Sequence, residues 1–330
     1  MKSYIVLSLF VTLCAGGAIP NMPLDNSNYV EGKSRYIWMP DGDNVPHLVD
    51  LQAATTASQP RNGEDNQYWL YTRQNPQSHQ LLIPNDVASV RNSNFNASLP
   101  IKVIVHGWIS SGTSEINPMI RDAYLQIGDF NIIVVDWSGA AGGIYTSAVL
   151  AVPSVGQHLG NFLNWLISDF GGNFRNMHLV GFSLGGHVIG NAGRVVGGRI
   201  ARLTALDPAG PQWSGNRFSL NRHDGIYVET IHTDGGLLGI FDPISDADFY
   251  PNGGRDPQPG CPSSPCSHAR AYELFAASVV HNHLFGRHCR DITEARHNRC
   301  RGTMHQMGNS HLRKRGYGLF ALSTGAEWPY

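Results

Sequence analysis

Ser183, Asp207 and His268 have the types and the chain order needed to open an ester by nucleophilic attack. Ser183 stands in Gly181-Phe182-Ser183-Leu184-Gly185, a pattern in which a serine occupies a sharp strand-to-helix turn and flanking glycines permit close backbone approach. Such a nucleophile elbow lifts the hydroxyl above the sheet. It also aims the N–H of the next residue, Leu184, at the place where a tetrahedral oxyanion would form, with a helix N-terminus adding partial positive charge. The pattern is short enough to arise by chance as a structural Gly-Ser turn, so its context decides its meaning. Here the apolar run Met177–Val180 leads in as a buried strand, and Leu184–Val196 leads out as a helix rich in small residues.

The partners follow from strand ends. Arg202–Leu206 reads as a strand with Asp207-Pro208 at its carboxyl end, which puts a carboxylate on the same rim as Ser183. There it can orient a histidine and stabilise its imidazolium form. The competing readings are a turn carboxylate at Asp-Pro, or Asp234 after Tyr227–His232 in the acid role. Among 15 histidines, His268 is best placed. It follows Cys261 and Cys266, begins the helix expected over Ala269–Val280, and preserves the order Ser, Asp, His. His106 and His232 read as structural neighbours of the rim, and His281, His283 and His288 fall beyond the helix. A second oxyanion donor is expected in the loop after Ile101–Val105, where His106-Gly107-Trp108 offers the Trp108 N–H and an indole for an apolar wall. Ordinary packing is the alternative for Trp108.

These residues need a scaffold, and the pattern of apolar runs describes one. Trp69–Arg73 and Gln80–Ile83 suggest short strands at an antiparallel edge. Ile101–Val105 and Asn131–Trp137 are near-continuous apolar strands, as central strands covered on both faces should be. Helices are expected over Asn117–Ile127 and Ser154–Asp169. Strand–helix alternation at this spacing gives an α/β-hydrolase fold: a mostly parallel central sheet, helices on both faces, and chemistry beyond the carboxyl ends of the strands.

Composition narrows the setting. At 42% hydrophobic and 15% charged, with net charge -1, the chain has a globular make-up and no bulk charge to attract nucleic acid. Met1-Lys2, the apolar Tyr4–Ala15 and Gly16-Gly17-Ala18 read as a secretory signal over 1–18, and no later segment is apolar for long enough to span a bilayer. The expected product is secreted and soluble. Residues 19–60, rich in Asn, Asp, Pro and Ser, read as a variable, loosely docked leader before a domain over 61–330. Once Cys14 leaves with the signal, Cys261, Cys266, Cys289 and Cys300 remain. Proximity favours Cys261–Cys266 and Cys289–Cys300 over the other two connectivities, and the spacing lacks the paired form of a zinc site. Arg287 to Arg301 then reads as a stapled surface loop, with a lipid-headgroup contact as the lesser reading. Asn96-Ala97-Ser98 is a glycosylation sequon.

Five motifs in order carry a more specific likeness: Gly181–His187, Leu206–Pro211, Ile231-His232-Thr233-Asp234, Asp248–Gly254 and Cys266-Ser267-His268. Over roughly residues 65–330 the chain resembles the animal pancreatic-lipase family. The resemblance implies Ser183 as nucleophile, Asp207 and His268 as its partners, and Trp108 and Leu184 as oxyanion donors. It implies acyl transfer on a phospholipid or neutral lipid at an interface, with transient contact at a membrane or lipid-droplet surface. Two departures bear on substrate. The family's lid is represented by Pro262-Ser263-Ser264-Pro265 alone, and the facing loop Gly235–Asp246 is short, as in secreted insect phospholipases A1. The family's C-terminal β-sandwich is not matched, so no colipase is expected. The calcium loop, near Ser214–Asp224, has lost an acidic position, so neither metal nor cofactor is expected. Ile109, Leu237, Leu238, Ile240 and Phe241 are acyl-groove candidates, each with core packing as the alternative. The resulting expectation is a phospholipase A1 releasing the sn-1 chain. Its rivals are a triacylglycerol or galactolipid lipase and a catalytically silent, yolk-protein-like lipid binder.

Overall fold

A computed structural model describes residues 26–55 and 62–330. Among these the strands are β1 (Tyr36–Pro40), β2 (Pro46–Asp50), β3 (Gln67–Tyr71), β4 (Gln80–Leu82), β5 (Ile101–Val105), β6 (Asn131–Asp136), β7 (Met177–Phe182), β8 (Arg202–Leu206), β9 (Val228–Ile231), β10 (Ala247–Pro251), β11 (Phe285–Cys289), β12 (Met304–Gln306) and β13 (Gly318–Leu322). The helices are α1 (Val87–Arg91), α2 (Ile116–Ile127), α3 (Ser138–Ala141), α4 (Tyr145–Phe170), α5 (Leu184–Val195), α6 (Ser264–His281) and α7 (Ile292–Arg296).

One sheet runs in the order β12-β11-β13-β10-β9-β8-β7-β5-β6-β3-β4. Its interior from β6 to β13 is parallel, while β3 and β4 at one edge and β11 and β12 at the other are antiparallel. Every residue of β5, β6 and β8 is buried, which is what helices on both faces require. Alternate residues divide between the two faces. Val103, Val105, Leu179 and Leu203 join one apolar cluster with α4 and α5, whereas Ile104, Val134, Val180 and Leu206 join another with α2 and α6. The two halves of the core thus meet at the sheet that carries the site.

Three expectations are corrected. Helix α4 begins at Tyr145, nine residues before the expected start, and runs through Pro153. A proline inside a helix costs about 3 kcal/mol, but Val149, Ala151, Val152 and Val155 are all buried around it, and their burial outweighs the lost hydrogen bond. Helix α6 begins at Ser264, not at Ala269, because Pro265 in its first turn starts a helix where it looked like loop. The stretch Arg287–Arg301 is only partly loop, since it contains the end of β11 and all of α7.

The leader also differs where it is described. Residues 36–50 form an antiparallel ribbon, β1 paired with β2, whose Ile37, Met39 and Val49 are buried in the same cluster as Leu179 and Leu184. Asn26 Nδ2 donates to Ser264 Oγ (3.1 Å), Gly42 N to Ile109 O (2.8 Å) and Gln212 Nε2 to Leu51 O (2.6 Å), so the ribbon is tied down at three places. The core is continuous across the boundary expected at residue 61. The signal segment 1–18, with Cys14, and residues 19–25 and 56–61 lie outside the described residues. Among the described residues no helix is long and apolar enough to cross a membrane.

Candidate active site

Ser183 is the one residue between the end of β7 and the start of α5, and its backbone sits at φ 54, ψ -123. A non-glycine residue there stores on the order of 1–3 kcal/mol of strain, held by the bonds Ser183 N to Leu206 O and Gly186 N to Ser183 O, each 3.0 Å. The turn needs its glycines. A Cβ on Gly181 would lie 2.2 Å from Gly185 O, and one on Gly185 would lie 2.3 Å from Val105 O. Leu184 opens the helix, and neither its backbone N–H nor that of Trp108 donates to a protein acceptor among the described residues. Trp108 is pinned, its Nε1 donating to Gly143 O at 2.8 Å and its ring meeting Tyr145 edge-on. Gly107 passes so close that a Cβ on it would lie 3.0 Å from Ser183 Cβ.

Asp207 follows β8 as expected and is fully buried. Its Oδ1 accepts from the backbone N–H of Thr233 (2.8 Å) and Asp234 (3.0 Å), and its Oδ2 lies 2.6 Å from His268 Nδ1. Because a carboxylate only accepts, Nδ1 carries the proton and Nε2 is left with a lone pair. His268 lies in the second turn of α6, and the Cys261–Cys266 disulfide ties that helix's first turn to the preceding loop. Cys289 pairs with Cys300, so both favoured connectivities are present. Ser183 and His268 border the same cavity, with no hydrogen bond between them among the described residues. In resting sites such bonds are often long and tighten with substrate.

The competitors are placed elsewhere. Asp234 Oδ2 accepts from Ser264 Oγ (2.7 Å) and Leu238 N (3.1 Å), so it braces the site without touching His268. Burial, and then the charge of Asp207, push its carboxyl well above the usual range. His232 is held between Ile240 O and Asp248, and His106 between Gly107 O and Asp136. Asp207, Asp234 and His268 present ligand atoms within 4.8 Å of one another, yet both Asp207 oxygens and one oxygen of Asp234 are already engaged by donors. In the stretch Ser214–Asp224, Asp224 is spent on Arg194, with N–O distances of 2.7 and 2.9 Å.

The acyl-groove candidates separate. Leu238 borders the Ser183 cavity, and Ile109 packs half-buried against the core beside it. Leu237, Ile240 and Phe241 instead line a different cavity of about 990 Å³ across the loop. Gly239, between Leu238 and Ile240, bridges to Ala209. Met39, Pro40 and Asp41 of the ribbon also border the Ser183 cavity and were not foreseen. Asn96 is exposed, as a glycosylation site must be.

A parallel sheet with a strained serine turn after β7, an acid after β8 and a histidine on a later helix is the α/β-hydrolase fold. The chain belongs to the Lipase family, whose model matches residues 40–330. It is 33% identical to a pancreatic triacylglycerol lipase of Mus musculus over 81% of this chain and 66% of that protein. It is 40% identical to phospholipase A1 member A of Rattus norvegicus over 64% of this chain and 48% of that protein. The chain thus spans between about half and two thirds of the length of these relatives. Among solved structures, an acetyl xylan esterase from Aspergillus awamori matches at 13% identity and a TM-score of 0.35, over 55% of this chain and 72% of that one, a likeness too slight to carry an argument.

Proposed function

We propose that this chain is a secreted lipid carboxyl-ester hydrolase, a phospholipase A1 that removes the sn-1 acyl chain at an interface. The observation that carries the reading is His268, oriented by Asp207 at 2.6 Å, on the same cavity as Ser183 in its strained turn. His268 Nε2 takes the Ser183 proton as Oγ attacks the ester carbonyl, and the N–H groups of Trp108 and Leu184 receive the oxyanion. Each such donor is worth on the order of 3 kcal/mol in the transition state. Collapse expels the glycerol oxygen, which takes the proton from His268. Water then repeats the sequence on the acyl-serine and frees the fatty acid. Secretion is supported by the two disulfides and an exposed Asn96 sequon.

The preference for phospholipid over triacylglycerol is supported by the Cys261–Cys266 loop, too short to form a lid over the serine. Phosphatidylcholine with different acyl chains at its two positions, run beside triacylglycerol with wild type and Ser183→Ala, tests both parts. Release of the sn-1 chain alone, lost in the variant, is expected. Turnover of triacylglycerol without phospholipid would transfer the reading to a triacylglycerol lipase, and binding without turnover of either would make the chain a lipid binder.

A further inference from the structure

The ribbon brings one fixed charge to the mouth of the site. Met39, Pro40 and Asp41 at the end of β1 border the cavity of Ser183 and His268, whose volume is only about 20 Å³, so an ester bound at Ser183 must press against them. Asp41 is held in place from both oxygens: Oδ1 accepts from the N–H of Asp43 and Val45, each at 2.9 Å, and Oδ2 pairs with His47 Nε2 at 2.9 Å. Its side chain keeps 17% of its surface open to solvent. The bond from Gly42 N to Ile109 O sets this turn against the chain segment that carries Trp108. Among the described residues no lysine or arginine borders the cavity, so the basic group paired with Asp41 is His47, which is not itself among the cavity's lining residues.

We infer that Asp41 is a specificity-determining residue that favours phospholipids whose head group ends in an ammonium over those with a net negative head. The inference rests on the phospholipase reading above. An ammonium beside Asp41 gains Coulomb energy, while a head group carrying only its phosphate meets a like charge with no lysine or arginine at the cavity to receive it. Because the mouth is partly open to water, the effect is moderate and sensitive to salt.

The test uses short-chain phosphatidylcholine and phosphatidylglycerol as dissolved monomers, so that surface binding does not enter, with tributyrin as a headgroup-free ester. Wild type is expected to favour phosphatidylcholine about fivefold in kcat/KM at low ionic strength, with the ratio shrinking at high salt. Asp41→Asn keeps an oxygen for the Asp43 and Val45 N–H groups, so the turn should persist while the ratio falls to near one. An equal ratio in wild type and Asp41→Asn, or a wild-type ratio indifferent to salt, overturns the inference alone. Hydrolysis of tributyrin with neither phospholipid cleaved overturns both it and the phospholipase reading.

Discussion

His268 Nδ1 stands 2.6 Å from Asp207 Oδ2, and the other oxygen of that carboxylate is fixed by two backbone N–H groups from the Thr233-Asp234 turn. The carboxylate is therefore oriented before it orients the histidine. Asp207→Asn would present an amide N–H to Nδ1 and force the proton onto Nε2, where a base is needed. In the trypsin triad the same change lowers kcat about 10⁴-fold, and a loss on the order of 10³–10⁴ is expected here with little change in melting temperature. Steady-state kinetics on a soluble ester, beside a thermal melt, measure it; a loss under tenfold would remove Asp207 from the role.

Asp234 lies next to this pair but has a different task. Its carboxyl joins Ser264 at the start of α6 to the Leu238 turn, and burial already disfavours its charge. Asp234→Asn keeps an acceptor and should change activity by no more than a few-fold. Asp234→Ala strands the Ser264 hydroxyl and the Leu238 N–H, which should cost about 1–3 kcal/mol in urea unfolding. If the Asn variant proves as damaging to turnover as Asp207→Asn, Asp234 is the acid.

His187 should make the fold acid-sensitive. Its Nε2 donates to Ala209 O (2.9 Å), its Nδ1 accepts from Leu220 N (3.1 Å), and it stacks on Trp213. Only a neutral ring fits both bonds, and burial pulls its pKa down to about 3. The unfolded chain, with an ordinary histidine, binds the extra proton first as pH falls. Stability from this group is therefore complete above about pH 6.5 and is lost as pH drops toward 3, by on the order of a few kcal/mol. Unfolding free energies between pH 4 and 7 should rise less steeply in His187→Gln, which offers a donor and an acceptor without titrating; parallel slopes would contradict this.

The turn under Ser183 should tolerate no added carbon. Gly185→Ala would drive a Cβ to within 2.3 Å of Val105 O, a backbone atom that cannot move without breaking the β5 ladder. A loss of more than about 2 kcal/mol in stability is expected, with activity falling alongside. Chemical denaturation of the variant decides it.

What the sequence made legible was what recurs along it. Arg202–Leu206 was readable to the residue because its strand runs into Asp-Pro, and Ser183 and Asp207 each sit just after a strand end, while His268 was found from its place behind the two cysteines and its order in the chain. Met39 and Asp41 were not, because a ribbon of two five-residue strands alternates too briefly to stand out from polar surroundings. Leu237, Ile240 and Phe241 went to the far side of their loop because irregular chain has no period from which a facing direction can be read. The two helix starts were set too late, because α4 runs through Pro153 on a buried face and α6 opens with Pro265 in its first turn.

The nucleophile itself is best tested by a fluorophosphonate probe, with the modified peptide located by mass spectrometry in wild type, Ser183→Ala and His268→Ala. A single adduct on Ser183, absent from the first variant and strongly slowed in the second, is the predicted result. An unlabelled wild-type protein that is folded, or an adduct at another serine, would contradict the assignment of Ser183 and with it the mechanism proposed here.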